Sequence, residues 1–184
     1  MMDRNKLGMI LFVASESVFF LLLIGAYVTF HSTGGKGPTA ANSLDPIKSG
    51  IFSICLLSSS LTLWLAEASR KKRHRAGVSF WLLATVVLGA IFLIGQGTEY
   101  AHLIHENVTI SRDLFGTTFF TLTSFHGMHV FGGLLMLAVL LGLSMLGSDE
   151  DPTFSSMEAV AIYWHFVDAV WVVIFSIVYL WRFV

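Results

Sequence analysis

Charge is what this chain has least of. Lys, Arg, Asp and Glu make up 12% of its 184 residues, while 55% are hydrophobic; an ordinary soluble domain carries roughly 25% charged residues. With a mean hydropathy of +0.75, the composition is that of a membrane protein. The net charge of −1 leaves no basic field for nucleic acid. A single cysteine, Cys55, sits in an apolar run. That excludes an internal disulfide framework, a CxxC zinc site and a CxxCH haem attachment, and it makes Cys55 a packing residue. Also missing are a Walker lysine loop, a GxGxxG turn after a strand, a nucleophile elbow and an HExxH helix. Nothing in the chain is equipped to carry a covalent reaction alone. There is no internal repeat and no low-complexity segment.

Long apolar runs are abundant. Five are expected to be spanning helices, at residues 7–30, 51–68, 78–102, 115–146 and 157–181. The expected fold is therefore all-α, one domain over 1–184 built as a bundle of five transmembrane helices. The fourth run is long enough to require tilt or projection beyond the bilayer. Arg4 and Lys6 precede the first run as in a signal peptide, but it lacks an A-x-A site and contains Glu16, so it reads as a retained span. The linkers are polar and carry breakers where needed: GGKGP at 34–38, RKKRHR at 70–75, ENVTISRD at 106–113 and GSDEDP at 147–152. Arg4, Lys6, Arg70, Lys71, Lys72, Arg73 and Arg75 fall on the N-terminal side, against Lys36, Lys48, Arg112 and Arg182 on the other. The positive-inside rule then places the N-terminus in the cytoplasm and Val184 outside. The 70–75 cluster is a topology determinant that also suits anionic lipid.

Polar groups inside the spans are the informative ones, because a charge at mid-membrane costs several kcal/mol unless it is partnered. Glu16 lies nine residues past Leu7, or ~14 Å along a helix, close to the midplane. It is expected to be protonated or to meet a partner, as a proton or lipid contact or as a lock between helices. In the second span Ser58, Ser59, Ser60 and Thr62 read as small residues for close packing. Gln96, Glu99 and Tyr100 sit near the end of the third span, where hydration is the simplest expectation and anchoring of a partner helix or a lipid headgroup by Glu99 and Gln96 is the other. Thr123, His126, His129 and Gly133 form a stripe on the fourth. On the fifth, His165 and Asp168 are three apart, and Trp164, Asp168 and Trp171 follow helical spacing. Imidazoles at these positions invite a haem or metal reading. Hydrogen-bonded contacts between helices are the simpler expectation.

Four blocks in order carry a family resemblance: FVASESVFF at 12–20 with FHSTGG at 30–35, GQGTEY at 95–100, GTTFFTLTSFHGMHVFGG at 116–133, and YWHFVDAVWVVIFSIVYLW at 163–181. Over essentially its whole length the chain resembles subunit III of the haem–copper respiratory oxidases. The resemblance implies a non-catalytic accessory subunit of an aa3-type cytochrome c oxidase, seated against subunit I, beside subunit II and possible further respiratory-complex subunits. It implies no cofactor in this chain, with haem and copper held by subunits I and II, and structural phospholipid bound in a cleft. Support of proton uptake during reduction of oxygen to water is implied as well. Glu16, His31 and Glu99 become proton- or lipid-related positions. Gln96, His126, His129, Trp164, His165, Asp168 and Trp171 become polar contacts between helices. Longer members have seven helices, so the short form implies an incomplete lipid cleft and leans towards a bacterial plasma membrane. Subunit III-like proteins of quinol oxidases and nitric oxide reductases share the pattern. An independent b-type membrane cytochrome, using His126 or His129 with His165, is a different reading from the same residues.

Overall fold

The computed structural model describes residues 4–32, 46–105, 114–146 and 153–180. These form α1 (Arg4–Ser32), α2 (Pro46–Lys71), α3 (Arg75–His105), α4 (Leu114–Leu146) and α5 (Thr153–Phe175), with a π-helical turn, Ser176–Leu180, continuing α5. All five helices are long and apolar enough to cross a membrane. Among the described residues there is no strand. Because backbone hydrogen bonds continue where an apolar run has ended, α1, α2, α3 and the start of α5 run past the expected spans into polar sequence, whereas α4 keeps almost the expected bounds. At 33 residues, α4 is about 50 Å long, well beyond the ~30 Å of a hydrocarbon core. The π turn was not foreseen, and Trp181 lies outside the described residues.

Successive helices run antiparallel, as paired positions show. Thr62 meets Thr85 while Ser49 meets Glu99 across α2 and α3. Ser79 meets Ser144 while Tyr100 meets Thr123 across α3 and α4. Lys6 near the start of α1 pairs with Glu158 near the start of α5 at 3.2 Å, so those two helices run the same way. The half-exposed ion pair contributes little energy, yet it marks the register.

The last helix is the centre of the bundle. It packs against α1 and α4 on one side and α2 on the other. Trp164 and Trp171 are essentially fully buried. Lipid tails are as apolar as leucine, so association rests on van der Waals fit and hydrogen bonds rather than on expulsion of water. The fit depends on missing side chains. A Cβ at Gly133 of α4 would stand 2.6 Å from Trp164 Cε3, and one at Gly89 of α3 would stand 2.9 Å from Trp164 Cη2. At Gly95 of α3 an added Cβ would fall on the Phe52 ring of α2.

The basic cluster forms the tightest described connection. α2 ends with Arg73 N donating to Arg70 O at 2.8 Å and His74 N to Ser69 O at 2.9 Å. This is the Schellman pattern, which needs a left-handed residue. Arg73 takes that place at φ 55, where glycine is usual. His74 then caps α3, its Nδ1 accepting from Gly77 N at 3.0 Å.

Candidate functional site

Three polar clusters lie between the helices. The first joins α1 to α4. Glu16 Oε2 and His129 Nε2 are 3.1 Å apart, with side chains 23% and 15% exposed. His129 Nδ1 lies 2.7 Å from Phe125 O. A carbonyl can only accept, so Nδ1 carries the hydrogen. The other nitrogen then meets Glu16 in one of two ways: a bare Nε2 accepting from a carboxylic acid, or an imidazolium donating to a carboxylate. Both hold the same number of protons. Tyr163 of α5 closes the site, its hydroxyl donating to His129 O at 3.0 Å. Phe20 meets the imidazole edge-on, centroids 5.0 Å apart.

A second cluster joins α2 to α5. Trp164 Nε1 donates to Ser59 Oγ at 2.9 Å, and Trp171 Nε1 to Ser53 Oγ at 2.8 Å. Each serine hands its own proton to a carbonyl of α2, Leu56 O and Ser49 O respectively. Between them Ser60 Oγ donates to Asp168 Oδ2 and lies 2.8 Å from His165 Nδ1. The spacing of three had suggested one shared face. Asp168 is 4% exposed while His165 is exposed. They meet only through Ser60.

The third cluster gathers around Glu99. Ser49 Oγ donates to Glu99 Oε1 at 2.7 Å and Tyr179 OH, from the π turn, to Oε2 at 2.8 Å. The expectation of a simply hydrated helix end is therefore corrected: hydroxyls from α2 and α5 claim both carboxylate oxygens. One turn earlier Gln96 is buried, and its Nε2 has no partner among the described residues. Nearby, Ser124, Tyr100 and Thr123 form a hydroxyl chain ending on Phe119 O.

His126 stands apart. It is wholly buried, stacked on Trp171 at 4.9 Å and 25° and edge-on to Phe92 at 6.0 Å. Neither ring nitrogen has a partner among the described residues. The stripe expected on α4 thus divides, with Thr123 in the hydroxyl chain, His126 in the aromatic core, His129 on Glu16 and Gly133 beneath Trp164. His31 falls in the last turn of α1, and the role expected for its side chain lies outside the described residues. Arg70 and Lys71 end α2, Lys72 and Arg73 form the turn, and Arg75 opens α3.

His129 has both nitrogens engaged, aromatic rings enclose His126, and His165 on α5 has Nδ1 engaged by Ser60. Among the described residues no three His, Cys, Asp or Glu side chains gather as a metal set would.

Sequence reasoning missed Ser49, Ser53, Tyr163 and Tyr179, and read Ser59 and Ser60 as packing residues only. A signal was present: Ser49, Ser53 and Ser60 recur at i, i+4 and i+11, one helical face, and Trp164, Asp168 and Trp171 form the face opposite.

Fold and site together define a polytopic helical membrane protein whose mid-depth polar groups are tied across helices. A sequence model of cytochrome c oxidase subunit III matches residues 1–183. Cytochrome c oxidase subunit 3 of Synechocystis sp. is 38% identical over 180 residues, covering 97% of this chain and 76% of that protein. The probable subunit 3 of Mycobacterium leprae is 33% identical over 178 residues, covering 96% and 88%. That of Neurospora crassa is 36% identical over 185 residues, covering 96% and 67%. The chain belongs to the cytochrome c oxidase subunit III family, integral membrane subunits of a terminal oxidase complex.

Proposed function

We propose that the chain is a non-catalytic accessory subunit of an aa3-type cytochrome c oxidase in a bacterial plasma membrane. It stabilises subunit I, beside subunit II, holds structural phospholipid and supports proton uptake as oxygen is reduced to water. Family membership supplies the complex. The similar proteins compared above carry cytochrome c oxidase names, which favours cytochrome c over quinol as electron donor. The seven basic residues on the N-terminal side support a cytoplasmic N-terminus.

One observation carries the reading of the site. Glu16 Oε2 and His129 Nε2 stand within hydrogen-bond distance deep in the spans, with the carboxyl still partly open at the side of the bundle. An intramembrane acid–base pair is a functional expectation by its cost alone. Replacing Glu16 by Gln keeps a hydrogen bond to His129 and removes the exchangeable acid; replacing it by Ala removes both. In the assembled oxidase, Glu16→Gln is expected to shorten turnover lifetime or slow proton uptake while leaving assembly intact, and Glu16→Ala is expected also to lose bound phospholipid. Unchanged lifetime, proton uptake and lipid content in both variants contradict any role beyond packing.

A further inference from the structure

Among the described residues, four buried side-chain polar atoms have no hydrogen-bond partner: Gln96 Nε2, both ring nitrogens of His126, and Asp168 Oδ1. Asp168 belongs to the seam with α2, where Ser60 holds its other oxygen. Gln96 and His126 lie on the facing sides of α3 and α4. The step along α3 from Ser79 to Tyr100 equals the step back along α4 from Ser144 to Thr123, so these two bonded pairs fix the antiparallel register. The same register sets Gln96 level with Gly127, next to His126. Phe92, one turn before Gln96, stands edge-on to the His126 ring with centroids 6.0 Å apart. Tyr100, one turn after Gln96, bonds Thr123, one turn before His126. The two orphaned side chains therefore share one short stretch of the seam.

That stretch has room and the right chemistry. An added Cβ at Gly127 would meet only Leu93 Cδ1 of α3, at 3.9 Å, so the missing side chain leaves space beside Gln96. Gln96 Nε2 can only donate, while a neutral imidazole brings one donor and one acceptor. At 6% and 0% exposed, neither side chain reaches bulk solvent, and the two do not bond each other. Buried polar groups of native proteins are bonded either to protein or to ordered water. Water accepts from an amide and also donates or accepts at an imidazole, so it serves whichever ring nitrogen lies towards it. A third neighbour is at hand. The Tyr100 hydroxyl, which the Gln96 side chain adjoins, gives its proton to Thr123 and keeps a lone pair. Two or three polar partners are what a buried water requires.

We propose that the α3–α4 seam is a binding site for one water molecule, which accepts from Gln96 Nε2, bonds a ring nitrogen of His126 and has the Tyr100 hydroxyl as its third neighbour. The water turns two orphaned side chains into one bridge between helices. It carries the Ser124–Tyr100–Thr123 hydroxyl chain on to the imidazole, so that His126 becomes a polar contact of α4 with α3. Gln96 and His126 then depend on each other without touching. The site is internal to this chain, and it goes beyond the reading of the chain as an oxidase subunit.

Two measurements test it. The first is a map of the native complex that contains the chain, in lipid nanodiscs, at a resolution that shows ordered water elsewhere in the same map. It is expected to hold one water peak about 2.7–3.2 Å from both Gln96 Nε2 and a His126 nitrogen, and Gln96→Leu is expected to lose that peak. The second is unfolding of the full chain in mixed micelles. Gln96→Met and His126→Phe each remove one end of the bridge at similar bulk. Each is expected to raise the unfolding equilibrium constant about fivefold to a hundredfold, the scale of stranding a buried polar group. The double variant is expected to be no worse than the worse single one, because the bridge is lost only once. A map in which Gln96 bonds His126 directly, or in which the seam holds no water, overturns the proposal. So does a double variant whose effect is the product of the two single effects. If a variant fails to fold, the water peak in the unsubstituted complex decides.

Discussion

A serine on a membrane helix usually returns its hydroxyl proton to a carbonyl one turn back, and the lone pairs left over are available to a neighbour. Ser53 and Ser59 use this arrangement to receive the two buried indoles of α5. Trp164→Phe deletes one such bond and part of a wholly buried ring. The bond is expected to contribute about 0.6 kcal/mol and at most about 1.7 kcal/mol, as polar contacts between membrane helices do, with a further cost for the space left behind. Ser60 is held on two sides, so Ser60→Ala strands both a buried carboxyl oxygen and an imidazole; about 1–3 kcal/mol is expected. Ser58→Ala, at a hydroxyl outside these clusters, is expected to stay within about 0.5 kcal/mol. Reversible unfolding in mixed micelles measures all three. Equal effects for Ser58 and Ser60 contradict the assignment. From the sequence alone these serines were indistinguishable, since a hydroxyl in a membrane helix serves packing and hydrogen bonding alike. Glu16 was legible because a carboxylate at that depth has few cheap explanations; its partner His129 was not, because the stripe on α4 offered two imidazoles and no distance.

Between helices the decisive quantity is clearance. Gly133→Ala would drive a methyl group to 2.6 Å from Trp164 Cε3 and 3.2 Å from Tyr163 Cε1. Both rings are buried and hemmed in, so a loss of about 1–3 kcal/mol is expected from overpacking. Gly97→Ala on α3 meets nothing within 4 Å, and it is expected to be neutral or to stabilise by up to about 1 kcal/mol through helix propensity. Thermal unfolding of the purified chain separates the two, and a harmless Gly133→Ala contradicts the close crossing. The α2–α3 turn offers a gain. Arg73→Gly relieves a left-handed arginine and is expected to stabilise by about 1 kcal/mol, offset in part by the freer unfolded chain. The number and order of helices were plain in the hydropathy, because lipid admits little but continuous helix across its core. The helix ends were less plain, since helices outlast their apolar runs. The π turn depends on how Tyr179 reaches Glu99, a contact between residues 80 apart in sequence that no local pattern reveals.

Across the whole molecule the polar interior is shared out between helix pairs: α1 with α4 through Glu16 and His129, α2 with α5 through the serines, and α3 with α2 and α5 through Glu99. Each buried imidazole or carboxylate described is either tied to a neighbour or walled in by aromatic rings. The blocks at 116–133 and 163–181 made the family legible before any coordinates, because FHG–HV and WHFVD–VW bring together the residues that form two of these seams. That His165 and Asp168 differ in exposure was not legible, because their spacing of three puts them near one face. The most direct measurement is purification through a tag on this chain from gently solubilised native membranes, followed by a visible spectrum before and after the subunits are separated. The account predicts haem a bands in the purified assembly and none on the separated chain. A haem band that stays with this polypeptide, or an assembly with no haem-bearing partner at all, would contradict it.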